Sequence, residues 1–350
     1  MLGKKIIGYM YKKFNNTFMY ALYKNIKNGI QRLIGVLRIY ALNDKKIVRV
    51  KVTGWWNKGD DLPDFPIFKF LGRKVIVTNF RPQLQLVSVF TQRKNVKKIN
   101  KCKTIFFTGE DCTHNHVNFS DYCTDVADLS IGFRYEDEFP NEERKRIFRF
   151  PLWFMYIWEF WQLDKDKIVS VMKEFENSKF LEKNKFCTLI ASHDRWSGGI
   201  RKLLFDACST IGEIKCPGKL FHNDDTLKQD FNDRKVDYLK QFRFSICPEN
   251  CSTRGYITEK IFHSLCAGAI PIYSGGGEAP IEPNVLNQNI IIRYDGNNIE
   301  EVVDKVSFLE NNNSAYREFL NQPTFTDTAV DWMYDTCLKL KDKLENLMQN

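Results

Sequence analysis

Apolar positions along this chain follow two rhythms. Lys46–Gly54 alternates into a first strand, and compact apolar runs of strand length recur around Val75, at Gln83–Thr91, Lys103–Thr108 and Ala127–Phe133. They return at Phe186–Ser192, Phe242–Cys247, Ala269–Tyr273 and Asn289–Tyr294. Between and after them stand stretches of helical period: Tyr156–Asp166, Arg201–Ser209, the set Ile257, Ile261, Phe262 and Leu265, then Asn298–Leu309 and Thr328–Met348. Unbroken apolar runs mark strands covered on both faces, and their alternation with helices predicts βαβ units in parallel sheets. At 350 residues the chain exceeds one typical core and suits two domains. The predicted division is an extension over 1–45, a first domain over 46–155, a link over 156–184, a second domain over 185–325 and a terminal helix over 326–350.

The segment from Phe242 to Gly275 carries the most chemistry. It predicts a strand ending at Cys247-Pro248, a polar loop, a helix of about ten residues stopped by Gly268, and a second buried strand at Ala269–Tyr273. In parallel sheets ligands bind beyond the carboxyl ends of the strands. That end here bears Glu249, Asn250, Arg254, Tyr256, Glu259 and Lys260. Tyr256, Glu259 and Lys260 are predicted at the helix start, whose free N–H groups and dipole suit a diphosphate. Lys260 would add a mobile point charge there, and Glu259 suits two vicinal ribose hydroxyls. Ordinary capping explains any one of these residues; their combination between two buried strands points to a ligand.

The string Cys-Pro-Glu-Asn, then Gly-Tyr-Ile-Thr-Glu-Lys-Ile, then Ala-Gly-Ala-Ile-Pro-Ile-Tyr-Ser-Gly resembles the donor-binding signature of the α-1,3/1,4-fucosyltransferases. The first half is similar to that family at Phe107-Thr-Gly-Glu110, Asp128-Leu-Ser-Ile-Gly-Phe133 and Arg149-Phe-Pro151. The likeness covers about residues 46–325. Pro248 stands where the family has Phe and Ser274 where it has Trp, followed by Gly275–Gly277; these changes are expected at the mouth of the sugar pocket, bearing on acceptor choice.

The resemblance implies an α/β protein of GT-B architecture, two Rossmann-like domains whose parallel sheets face a central cleft; the N-terminal 45 residues, a basic amphipathic helical segment, lie outside it. It implies an inverting enzyme that moves L-fucose from GDP-fucose to a hydroxyl of an oligosaccharide or glycoconjugate acceptor, α-1,3 to an N-acetylglucosamine- or glucose-type residue. Glu110, directly after a buried strand and a glycine, takes the family's general-base position. Arg201 matches the diphosphate arginine; Glu249 and Asn250 contact the fucose or hold the loop; Lys219, in Cys-Pro-Gly-Lys, is a further donor candidate. Tyr256, Glu259 and Lys260 complete the donor set. No cofactor and no metal are expected: cationic side chains can serve the leaving group, and the Asp-x-Asp motif of metal-dependent transferases is not found. The alternatives are a GT-B transferase with another nucleotide sugar and a non-catalytic glycan-binding scaffold.

Charge sharpens the picture. Residues 1–50 hold eleven Lys and Arg against one acid, Asp44, whereas the remaining 300 are nearly neutral at −1. One segment therefore carries the whole excess, which argues against nucleic-acid binding by the body. Ile7, Tyr11, Phe14, Phe18 and Leu22 recur at helical spacing opposite Lys5, Lys12, Lys13, Lys24 and Lys27. The longest uncharged run, Phe14–Tyr23, is ten residues, far short of a membrane span. Residues 1–40 read either as a helix lying on an anionic membrane or as one packed on the enzyme. Ten cysteines in a chain this long do not imply a disulfide framework. Cys112, His114, His116 and Cys123 could supply four zinc ligands or simply loop polarity. A glycan at the Asn250 sequon would block the donor loop, so a cytoplasmic chain, peripheral to a membrane if the extension binds one, is expected.

Overall fold

A computed structural model of the chain describes residues 24–31, 33, 47–55, 64–113 and 119–349. The apolar runs form two parallel sheets. The first holds β1 (Ile47–Thr53), β2 (Lys74–Val77), β3 (Leu84–Ser88), β4 (Lys103–Phe107), β5 (Leu129–Gly132) and β6 (Ile147–Arg149), in the order β2-β1-β3-β4-β5-β6. The second holds β7 (Lys185–Leu189), β8 (Ile214–Lys215), β9 (Phe242–Ile246), β10 (Ile270–Tyr273) and β11 (Ile292–Arg293), in the order β11-β10-β9-β7-β8. Every neighbouring pair is parallel. β3, β5 and β10 are buried at every residue, as unbroken apolar runs require. This is the two-sheet GT-B arrangement.

Both sheets reverse direction at an internal strand. The chain steps from β1 to β2 on one side and continues through β3 on the other; it does the same from β7 to β8 and then β9. Such a switch point opens a crevice at the strands' carboxyl ends. Two crevices, one per sheet, thus supply the walls of a single cleft.

The sheets are tied by one continuous core. It takes Val48, Leu84, Ile105 and Ile131 from the first sheet, Ile261, Phe262 and Leu265 from the Glu259–Cys266 helix, and Met333, Cys337 and Leu340 from the last helix, Ala329–Gln349. Trp153, fully buried, stacks on Phe262 at 4.2 Å and on Phe154 at 4.0 Å. A separate cluster, including Cys187, Leu204, Ile272 and Val306, packs the second sheet.

Some local expectations are corrected. The link's main helix is Lys165–Ser178, because Asp164 caps it by accepting from the Asp166 N–H at 3.0 Å; Phe154–Ile157 and Phe160–Gln162 are single turns. The helix of the donor segment begins at Glu259 and leaves Tyr256 and Ile257 in the loop. Thr258 is held extended (φ −101°, ψ −165°) because its N–H and hydroxyl both bond to the Glu249 carboxylate. Of the N-terminal extension, residues 24–31 are helical; the repeat from Ile7 to Leu22 lies outside the described residues, as do His114 and His116. Among the described residues no helix is long and apolar enough to cross a membrane, and no group of three or more metal-ligating side chains occurs.

Candidate active site

A cleft of about 750 Å³ lies where the carboxyl ends of the two sheets meet, a volume suited to a nucleotide-sized ligand. Its first wall comes from the ends of β1, β4 and β6: Trp55, Phe107, Glu110, Leu152, Met155 and Tyr156, with Phe65. Trp55 meets Phe65 edge-on at 4.9 Å and lies 5.9 Å from Phe107. The second wall comes from the ends of β7, β8 and β9 and three helices beside them, Ile200–Ser209, Lys235–Leu239 and Glu259–Cys266: His193, Arg201, Gly218, Lys235, Asn250, Tyr256, Glu259 and Lys260. One wall is aromatic with a carboxylate; the other is cationic.

Glu110 is set by its own loop. The Thr108 hydroxyl donates to the Glu110 carbonyl at 2.7 Å and accepts from the Glu110 N–H at 3.0 Å. This turn fixes the backbone at the end of β4 and leaves the side chain half-buried on the cleft.

Across from it, Arg201 sits at the start of the Ile200–Ser209 helix, 4% exposed. Its guanidinium bonds to the His193 carbonyl and, at 2.6 Å, to the Asn250 side-chain oxygen. Asp194 braces that helix start by accepting from the N–H groups of Arg201 and Lys202. Burial pulls the Arg201 pKa down, against the opposing pull of Asp194 and Glu249. Gly218 is required by close approach: a Cβ there would stand 2.1 Å from the Ala191 carbonyl oxygen.

Glu249 is a structural clamp in this site. Its carboxylate accepts from the Thr258 N–H at 2.7 Å, the Thr258 hydroxyl at 2.8 Å, Lys260 at 2.7 Å and the Tyr273 hydroxyl at 3.2 Å. Its side chain is wholly buried and is not part of the cleft lining. The helix-start N–H of Thr258 is therefore already taken by an anion, and Lys260 is held rather than mobile. Burial pulls the Lys260 pKa down, but Glu249 and Glu259 outweigh it, so the net shift is upward and the cation persists. Burial pushes Glu259 up, yet Lys260, its own N–H, His263 and Lys235 bring the net shift down, keeping it ionised. Tyr256 packs edge-on against Phe133, just after β5 of the first sheet, at 4.8 Å, and burial drives its phenol well above the usual value.

Of the residues singled out in the sequence, Glu110, Arg201, Asn250, Tyr256, Glu259 and Lys260 are brought together on the cleft. Lys219 is not: it is exposed and lies outside the lining. Pro248, Ser274 and Gly275–Gly277 are not in the cleft lining; Pro248 lines a smaller adjoining cavity of about 70 Å³ that shares Arg201, Lys235, Glu259 and Lys260 with the cleft. Ser274 is turned inward, its carbonyl accepting from the Glu249 N–H at 2.8 Å, and Gly275 and Gly277 line a separate 630 Å³ cavity. His193 and Lys235 were missed, since lone basic residues without a motif give no signal; Trp55 was legible only as an aromatic at the end of a strand.

Residues 180–345 match the model of the family described as glycosyltransferase family 10 (fucosyltransferase), C-terminal part. That match spans just under half of the 350 residues, so the second half of the chain is similar to this fucosyltransferase family. The Helicobacter pylori alpha-(1,3)-fucosyltransferase FucT is 21% identical over 305 residues, 78% of this chain and 59% of that protein. The chain thus spans about three-fifths of that relative's length. GDP-fucose protein O-fucosyltransferase 3 of Xenopus tropicalis is 32% identical over 111 residues, 29% of this chain and 23% of the relative. The fold is that of a crystallised alpha1,3-fucosyltransferase with GDP-fucose, at a TM-score of 0.60 and 20% identity, covering 88% of this chain and 92% of the other.

Proposed function

We propose that this chain is an inverting fucosyltransferase that moves L-fucose from GDP-fucose to a sugar hydroxyl, with residues 46–155 as the acceptor half and 185–325 as the donor half. The observation that carries the reading is the division of the cleft: a carboxylate on an aromatic wall faces Arg201, Lys235 and Lys260 on the other. Aromatic faces suit the apolar side of a sugar ring, and the cations suit a diphosphate. In one displacement Glu110 takes the acceptor proton while the oxygen attacks C1; the C1–O bond to the diphosphate breaks, and its electron pair leaves with GDP. The developing charge on the departing phosphate is met by Arg201 and Lys260. Glu259 is placed for the nucleotide's ribose and Asn250 for the sugar. No metal is called for in this scheme. The test is incubation with GDP-fucose and a panel of glycans and Ser/Thr peptides, reading product masses, with other nucleotide sugars as controls.

Replacing Arg201 with Ala is expected to weaken GDP binding about 10- to 100-fold, the scale of a lost hydrogen bond to a charged group. Calorimetric titration checks this, and an unchanged dissociation constant would contradict the phosphate role.

The extension extends the proposal to a membrane partner. Ile26, Ile30 and Leu33 are 52%, 53% and 59% exposed, one apolar stripe on a segment rich in Lys and Arg. Changing these three to Ser should strip the protein from anionic phosphatidylserine vesicles in co-sedimentation and leave transfer unchanged; equal sedimentation would rule the contact out.

A further inference from the structure

We propose that Asp111 is a positioning residue, whose carboxylate ties the Glu110 loop of the first sheet to the donor loop of the second. Its Oδ1 accepts from the N–H and hydroxyl of Thr113, at 3.0 and 2.7 Å, which fixes the turn after Glu110. Its Oδ2 accepts from the Cys251 thiol at 2.9 Å and the Thr253 hydroxyl at 3.0 Å. One carboxylate thus joins positions 140 and 142 residues apart in sequence. Burial, then the hydrogen bond to Asp111 and its charge, drive the Cys251 thiol upward, so it remains a protonated donor.

The placement matters because the linked loops carry opposite halves of the reaction. Glu110 is the neighbour of Asp111, and the loop holding Cys251 and Thr253 also bears Asn250 and Tyr256 on the cleft. A general base must stand within hydrogen-bond reach of the attacking hydroxyl, and a misplacement of about 1 Å can cost roughly 100-fold. Asp111 touches no reacting atom in this scheme; it sets the distance between base and donor.

The kinetic part of the inference rests on the fucosyl-transfer reading, so the test has two arms. Asp111→Ala should lower kcat roughly 10- to 100-fold while the GDP dissociation constant stays within about twofold of wild type. In hydrogen exchange, amides of residues 108–113 and 250–258 should open faster together. Thr253→Val, which keeps the side-chain shape, should show the same pattern more weakly. Asp111→Asn, which retains one acceptor oxygen, should fall between Ala and wild type. An unchanged kcat overturns the inference, and so does a parallel loss of kcat, GDP affinity and melting temperature. If the wild-type protein transfers no fucose, the functional reading fails. The exchange arm then decides the tie alone: faster exchange of 250–258 in Asp111→Ala supports it, and unchanged exchange overturns it.

Discussion

Glu110→Gln is expected to cut fucosyl transfer about 100- to 10,000-fold, the usual contribution of a positioned general base. Gln keeps the size and the polar end of the side chain but cannot take a proton. The turn built by Thr108 bonds to the Glu110 backbone, so it survives the change. Glu110 also lies on the wall opposite Arg201 and Lys260, and GDP affinity should therefore be preserved. Steady-state rates together with GDP titration separate the two effects. A variant with near-normal kcat would remove Glu110 from the mechanism, and one with equal losses in rate and GDP binding would make it a binding residue.

The second large effect concerns the joint between the sheets. Arg149 and Glu282 form a two-pronged ion pair at 2.7 and 3.1 Å, with side chains 9% and 2% exposed. Arg149 also donates to the carbonyls of Phe133 at 2.9 Å and Gly255 at 3.1 Å, and lies over the Tyr135 ring at 4.5 Å. Trp153 donates its indole N–H to the same Glu282 at 2.9 Å. Arg149→Ala strands a buried carboxylate and should cost about 3–5 kcal/mol of stability. Arg149→Met combined with Glu282→Gln, which leaves neither charge, should recover much of it. Urea unfolding reads the difference as a lower midpoint; a loss under about 1 kcal/mol, the scale of an exposed pair, would show that the joint does not carry the fold.

These two cases mark what could be read from sequence. Glu110 was legible because Lys-Thr-Ile-Phe-Phe is an unbroken buried-strand run, and the residue after its Thr-Gly must emerge at the sheet's carboxyl end. β9, β10 and the helix between them were legible for the same reason: period and punctuation agree from Phe242 to Tyr273. Arg149 and Glu282 lie 133 residues apart, and no local pattern pairs them. For Glu249, standing in a polar loop, the sequence left two roles open, contacting the sugar or holding the loop, and the structure shows it holding the loop. Only the fold-back of Thr258, nine residues on, turns its carboxylate inward, and that same bond delays the helix to Glu259. Lys219, a donor candidate beside a Pro-Gly turn, is exposed and off the cleft lining, whereas the close contact of Gly218 with Ala191 brings the backbone there. Basic residues scattered over loops and helices, such as His193 and Lys235, become a wall only once the sheets have assembled.

The central claim, a cleft that transfers fucose from GDP-fucose by direct displacement, is tested most directly by incubating the wild-type protein and Glu110→Gln with GDP-fucose and the acceptor panel, then measuring product mass and anomeric configuration. The account predicts a singly fucosylated, α-linked product with release of GDP, made by the wild type and nearly absent with Glu110→Gln. Equal product from both proteins, retained configuration at C1, or transfer only from a different nucleotide sugar would contradict it.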